Sequence, residues 1–174
     1  MKKNLGLMFL LLLTMVVASY AQTAGDTNYA LSELAVSPFQ KIVVNSNVDV
    51  VLVQNDTLKK AYIEGDEKLV PEIAITVNNG TLTISSRENV SYRGKVQVTI
   101  AVKQLLNLAI NADASVVAFD ALQTPKLQVS INGICDLHLK STGKILFDAE
   151  TGYRLRYKNT QGNDKVVVVE ETEG

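Results

Sequence analysis

The sequence predicts an all-β domain built as a stack of short strands, in coils of about 21 residues. Three segments share one pattern, in which alternating apolar residues lead to an Asn and a small residue before the alternation resumes: 42–52, 108–118 and 129–139. The last two copies begin 21 residues apart, at positions 108 and 129, and the first begins 66 residues before position 108. That larger gap is about three periods. A fixed period in an all-β pattern indicates units that bury their apolar faces against their neighbours.

Strand-like alternation continues from Phe39 almost to the C-terminus. Each run is short, rich in Val, Ile and Thr, and bounded by Asn, Asp, Gly or Ser, which is typical of strands. Asn79-Gly80 predicts a tight type I′ hairpin, because both residue types tolerate positive φ. The clearest runs are Ile42/Val44, Val48/Val50/Leu52, Ile73/Ile75/Val77, Leu82/Ile84, Val96/Val98/Ile100/Val102, Leu106/Leu108/Ile110, Leu127/Val129/Ile131, Leu137/Leu139 and Val166–Val169.

The N-terminus has the three parts of a secretory signal peptide over residues 1–21. Lys2 and Lys3 form a basic start, an apolar run follows, and small residues at Ser19 and Ala21 fit a cleavage site. The apolar run is shorter than the roughly 20 residues that span a bilayer, so no transmembrane segment is expected after cleavage. The remaining chain is predicted to divide into a flexible lead-in over 22–36, the β domain over 37–170 and a tail over 171–174.

Charge argues against two classes of partner. The whole chain has 17 Lys and Arg against 18 Asp and Glu, and removal of Lys2 and Lys3 leaves 17 − 2 = 15 basic residues, a net charge near −3. This balance gives no reason to expect nucleic acid or an anionic membrane surface as a partner.

The repeated Asn residues predict a structural column at the coil corners. If successive coils lie one strand spacing apart, about 4.8 Å, the side-chain amides of Asn111 and Asn132 come within hydrogen-bonding distance, as in stacked β structures. Asn45 would occupy the corresponding place several coils away. An alternative is an ordinary antiparallel sheet, in which the Asn-small pairs merely mark hairpin turns.

One known family resembles this sequence. A signal peptide followed by Phe39–Gln54, and then by Val77–Ile84, Val96–Val102 and Ile131–Leu137, is similar to the putative auto-transporter adhesin, head GIN domain family of exported bacterial proteins. The resemblance implies a right-handed β-helix-like body of short strands. It also implies a non-enzymatic interaction module in the periplasm, in the outer envelope or at the cell surface. The chain departs from many family members by being short.

The reactive side chains do not form a catalytic pattern. His138 is the only His, and Asp136 precedes it by two residues, but no nucleophile elbow accompanies them. In the aligned repeats, Cys135 takes the place of Val48 and Ala114, which predicts a small buried residue, and His138 is predicted to point to solvent. One Cys and one His cannot form a zinc site, and no phosphate loop is present. We therefore predict no catalytic residue, no metal and no cofactor.

The best surface candidate in the sequence is a late strand. Tyr153, Arg154, Arg156 and Tyr157 alternate aromatic and basic side chains, which suits a glycan or an acidic partner. The alternative is a capping strand with its aromatic residues on the core. Three functions remain open: a module that binds an unknown envelope protein or glycan, a protein that binds or processes polysaccharide, and a self-associating structural protein of the envelope.

Overall fold

Two mixed β-sheets of six strands each share one apolar core in the computed structural model. The structure describes residues 28–87, 92–133, 135–149, 154–157 and 167–170. The predicted signal peptide (1–21) and tail (171–174) lie outside these residues. None of the described residues forms a helix with the length and apolar character needed to cross a membrane.

The described part of the chain is almost entirely strand, apart from turns and one 3-10 turn at Val70–Glu72. Its fourteen strands are β1 (Tyr29–Ala35), β2 (Lys41–Val44), β3 (Asp49–Gln54), β4 (Lys60–Asp66), β5 (Ile73–Asn78), β6 (Thr81–Ser86), β7 (Val96–Val102), β8 (Asn107–Ile110), β9 (Ser115–Ala118), β10 (Lys126–Ile131), β11 (Asp136–His138), β12 (Lys144–Ala149), β13 (Arg154–Tyr157) and β14 (Val167–Glu170).

The chain passes repeatedly from one sheet to the other. Sheet 1 has the order β1-β4-β7-β3-β9-β11, and sheet 2 has the order β12-β10-β8-β2-β6-β5. The pairs β2–β3, β6–β7, β8–β9 and β10–β11 each place their first strand in sheet 2 and their second in sheet 1. We call such a pair a coil. Neighbouring coils pair in parallel, whereas β1, β4 and β5 join antiparallel at one end, and β13 pairs antiparallel with β14.

Alternating side chains explain why the two sheets share a core. In β2, Ile42 and Val44 are fully buried while Val43 is only partly covered, and in β3 Val50 and Leu52 face the same interior. Burial of each such side chain contributes about 1.5–3 kcal/mol. The predicted all-β class is therefore confirmed, with two mixed sheets.

The predicted hairpin is confirmed. Strand β5 pairs antiparallel with β6 and the last partners are Asn78 and Thr81, so the loop is the two residues Asn79 and Gly80. Their φ values are 49° and 70°. These are the positive values that a type I′ turn requires.

Strand β1 corrects the prediction of a flexible lead-in over 22–36. It pairs along its whole length with β4, and Ala30 and Leu34 pack against the core. Glu33 forms an ion pair with Lys60 of β4. The small residues of this segment give a weak strand pattern, so its structure depends on a partner strand that is distant in sequence.

The order of the coils corrects a second prediction. Asn45 was expected several coils away from Asn111, but β2 pairs directly with β8, with Val44 opposite Ile110. The Nδ2 of Asn111 donates a hydrogen bond of 2.9 Å to Oδ1 of Asn45. The expectation was wrong because the intervening chain does not add successive coils between them. It forms β4 and the β5–β6 hairpin, and it places β6 and β7 on the far side of β2 and β3.

This adjacency predicts energetic coupling between Asn45 and Asn111. In a double-mutant cycle with Asn45→Ala and Asn111→Ala, we expect a coupling of about 0.5–1 kcal/mol in the free energy of unfolding, because one hydrogen bond joins the two side chains. Urea denaturation measures it. The control cycle combines Asn45→Ala with Asn78→Ala, which lies at the far edge of sheet 2 and should be additive. Equal coupling in the two cycles would contradict the strand order.

Candidate binding groove

The two sides of the coil stack have different connections. On one side, three of the four coils turn from sheet 2 into sheet 1 through corners of four residues: 45–48, 111–114 and 132–135. On the other side, the connections 55–59, 103–106 and 119–125 follow strands β3, β7 and β9 of sheet 1. The corners contain the Asn residues of the predicted column, and the connections that follow sheet 1 border a groove.

The corner side brings together the Asn residues singled out in the sequence. Asn45 and Asn111 share the side-chain hydrogen bond described above, and in the next coil the backbone N–H of Asn132 donates to the carbonyl of Ile110 at 2.7 Å. Gly133 has φ 142°, and a Cβ there would lie 2.9 Å from the carbonyl oxygen of Ala112. Glycine is needed at this corner, since a side chain would be strained and would overlap the neighbouring coil.

Cys135 is inaccessible at the corner. It is fully buried, like Val48 and Ala114 in the preceding coils, which confirms its prediction as a small packed residue. Burial raises the pKa of its thiol from 9.0 to about 11, because the thiolate would lose its hydration. The thiolate is the nucleophilic form, so this side chain is suited to packing and not to chemistry.

His138 and Asp136 do not form a base and its orienting acid. His138 is exposed on β11, which confirms the predicted direction of its side chain. Asp136 accepts a hydrogen bond of 3.0 Å from Nη2 of Arg93, and the two form an ion pair. The carboxylate is thus engaged by a guanidinium from the connection that precedes β7.

The structure describes the late surface candidates only in part. Arg154, Arg156 and Tyr157 belong to β13, for which the backbone pairing with β14 is described, and Tyr153 falls outside the described residues. Their role as a binding surface stays a prediction. Within the described part of the chain, no three His, Cys, Asp or Glu residues are grouped so as to hold a metal ion.

A groove lies on the side of the connections that follow sheet 1. Residues from three stretches, together with Gly80, line its larger part, a cleft of about 560 Å³: 36–40, 55, 56, 58, 59, 101, 103 and 104. An adjoining cleft of about 420 Å³ shares Asn55, Asp56, Lys103 and Gln104 with it and adds Gln54 and Gln123. We call the two parts the apolar lobe and the amide lobe. The larger volume is in the range of small-molecule sites, about 300–1,000 Å³.

The backbone fixes the apolar lobe. Val36 donates its N–H to the carbonyl of Lys59 at 3.0 Å, which ties the stretch before β2 to the connection after β3. In that connection Oδ1 of Asn55 accepts hydrogen bonds from the N–H groups of Thr57 (2.9 Å) and Leu58 (2.8 Å). This turn holds Leu58 with 37% of its surface exposed.

A single glutamine organises the amide lobe. Nε2 of Gln54 donates to the carbonyl of Lys103 at 2.8 Å, and Oε1 of Gln54 accepts from the N–H of Gln123 at 2.8 Å. Gln54 therefore joins the connections of two different coils. Gln104 lies between the lobes, where its Oε1 faces Nε2 of Gln40 at 3.5 Å.

The groove is lined by more basic than acidic residues, whereas the whole chain has a slightly negative net charge. Lys59 and Lys103 line it together with one carboxylate, Asp56. Within the described ranges, neither ammonium group has an ion-pair partner, whereas Lys60 and Arg93 are paired. Sequence reasoning missed this groove, because its lysines are separated by 44 positions (103 − 59) and follow no pattern. Only the strand order brings them to one place.

The structure is a β-sheet scaffold with a concave surface on its connections, and comparisons with known proteins identify its class. The model of the putative auto-transporter adhesin, head GIN domain family matches residues 38–170. The chain belongs to this family, which confirms the resemblance seen in the sequence. No curated protein matches it significantly.

Two solved structures illustrate the fold that this chain shares with known proteins. A putative adhesin from Parabacteroides merdae has a TM-score of 0.61 and 18% identity, covering 78% of this chain and 59% of that one. A putative adhesin from Parabacteroides distasonis has a TM-score of 0.52 and 19% identity, covering 78% and 67%. At these identities the likeness shows the fold alone. The chain spans 59% of the length of the first of these structures.

Burial of Cys135 predicts a specific loss of stability at high pH. Below pH 9 the thiol is protonated in both states. Between pH 9 and 11 the unfolded chain releases this proton while the folded chain keeps it, so the free energy of unfolding falls as pH rises. We expect a loss of about 2 kcal/mol at pH 11.

Urea denaturation at pH 8 and pH 11 measures this loss, with Cys135→Ala as the control. Ala114 occupies the corresponding corner, so alanine fits there. Lysine and tyrosine titrations occur in both chains and cancel in the comparison. The same pH dependence in both chains would show that the buried thiol does not resist ionisation.

Proposed function

We propose that this protein is an exported, non-enzymatic interaction module of the bacterial envelope or cell surface, and that it binds its partner in the groove. The observation that carries the proposal is the groove itself, a concave surface built by connections of several coils. Membership of a putative adhesin family supports a binding role. Loops held by a rigid sheet scaffold are where proteins commonly place binding residues.

The architecture supports the finer description as a short, right-handed β-helix-like stack. Each coil contributes one strand to each sheet, and from β8 to β12 the paired residues recur at intervals close to the predicted 21. Leu108 pairs with Val129, 21 positions later, and Leu127 pairs with Ile145, 18 positions later. In such a stack every coil buries the apolar face of its neighbours.

The chemistry of the described residues supports binding over catalysis. The thiol of Cys135 is buried with a raised pKa, and the carboxylate of Asp136 is paired with Arg93. The groove itself is lined by amide, lysine and apolar side chains, which hold a ligand by contact and hydrogen bonding.

Blocking the groove tests the binding role. Gln104 is exposed and lines both lobes, so Gln104→Trp fills the space between them. We expect about tenfold less labelled protein to be retained on isolated bacterial envelopes, because the partner loses its contact surface. The matched control is Gln128→Trp, at an exposed position on the outer face of sheet 2. Thermal unfolding checks that both variants fold. Equal retention of the two variants would refute binding through the groove.

Export predicts processing of the N-terminus. When the full chain is made in a bacterial host, we expect the mature protein in the envelope fraction to begin at Gln22, because Ser19 and Ala21 provide the small residues that a signal peptidase reads. N-terminal sequencing after fractionation measures this. Ala21→Tyr should block the cleavage and serves as the control. A full-length chain recovered from the cytoplasm would rule out export.

A further inference from the structure

We propose that the groove binds a single-chain anionic lipid, with its apolar chain in the apolar lobe and its acidic headgroup between Lys59 and Lys103. This inference rests on the proposed function and names the ligand class of the same site. Two properties of the lining carry it: an accessible apolar surface, and two lysines that have no ion-pair partner among the described residues.

The apolar lobe offers a surface that water solvates poorly. Val36 and Ala101 are nearly buried and form part of its lining, Phe39 packs on the core and reaches the lobe, and Pro38 is exposed. Leu58 is one of the few large apolar side chains exposed among the described residues. A ligand that covers these groups removes apolar area from water, which favours an alkyl chain.

Side chains with hydrogen-bond donors line the groove. Oδ1 of Asn55 already accepts from its own turn, so its NH₂ group remains. Oε1 of Gln104 faces Nε2 of Gln40, which again leaves an NH₂ group. With the ammonium groups of Lys59 and Lys103 added, the site needs a ligand that accepts hydrogen bonds and carries negative charge. Asp56 is the one carboxylate among the lining residues.

The same observations disfavour other ligand classes. A neutral sugar would leave both lysines without a counter-charge, and an acidic sugar would place hydroxyl groups against the apolar lobe. An extended peptide gains affinity by pairing with a free sheet edge. Here β2, β3 and β7 all have partners on both sides, so the groove offers no such edge. An anionic lipid has an alkyl chain that suits the apolar lobe and a charged headgroup that suits the two lysines.

Calorimetric titration of the mature protein (22–174) tests the ligand class. The probes are decanoate and decyl phosphate below their micelle concentrations, with decanol, acetate and tri-galacturonate for comparison. We expect both anionic lipids to bind at least about tenfold more tightly than decanol or acetate, because decanol lacks the negative charge and acetate lacks the alkyl chain. Added salt should weaken the binding of decanoate but not that of decanol.

Matched variants locate the site. We expect Lys59→Gln and Lys103→Gln each to weaken decanoate binding about three- to fivefold, and the double variant about tenfold, as for exposed ion pairs. Leu58→Ser should weaken it about tenfold through lost apolar contact. The controls are Lys68→Gln and Leu146→Ser, which change exposed residues outside the groove and should leave affinity unchanged.

Several outcomes would overturn the inference. Equal affinity for decanol and decanoate would show that the lysines do not contribute to binding. Equal losses of affinity in groove and control variants would show that the lipid binds elsewhere. Tight binding of tri-galacturonate with no binding of decanoate would identify an acidic glycan site instead. If Gln104→Trp loses envelope binding while no lipid binds, the proposed function stands and the ligand class falls. If lipids bind but Gln104→Trp keeps envelope binding, the ligand class stands and the proposed function falls.

Discussion

The parallel pairing of β2 with both β6 and β8 is the interaction on which the rest of the structure depends. Ile42 pairs with Leu82 on one side and with Leu108 on the other, and β3 is held in the same way between β7 and β9. The first coil in the sequence is therefore a central coil of the stack. A slip of one residue in the pairing would turn Ile42 and Val44 out of the core, so their burial fixes the register of β2. The register of β2 in turn sets how the two neighbouring coils align.

The groove is a consequence of that central position. On one side the Asn-small corners after β2, β8 and β10 have four residues each, and Gly133 allows the coils to approach closely. On the other side the connections after β3, β7 and β9 bring residues from separate parts of the chain together around the groove. Hydrogen bonds of Gln54 and Asn55 hold these connections in place, which gives the module a shaped surface on a rigid scaffold.

Local features of the fold were readable from the sequence, whereas long-range ones were not. The alternation of apolar residues gave the strands and their buried faces, and Asn79-Gly80 gave the hairpin, because turn geometry depends on adjacent residues. Alignment of the repeats gave the burial of Cys135 and the exposure of His138. Strand β1 was missed, since its stability comes from pairing with β4, and the groove was missed because its lining comes from separate stretches of chain.

The sequence by itself determined the all-β class, the repeated coil pattern and the family, because each follows from periodicity and local residue type. Only the tertiary structure decided the order of the coils, with Asn45 beside Asn111, and the meeting of Lys59 with Lys103 at one groove. The physical reason is that parallel strands are paired by burial and backbone hydrogen bonding across long stretches of chain. The pattern along the sequence does not indicate which distant strand will be the partner.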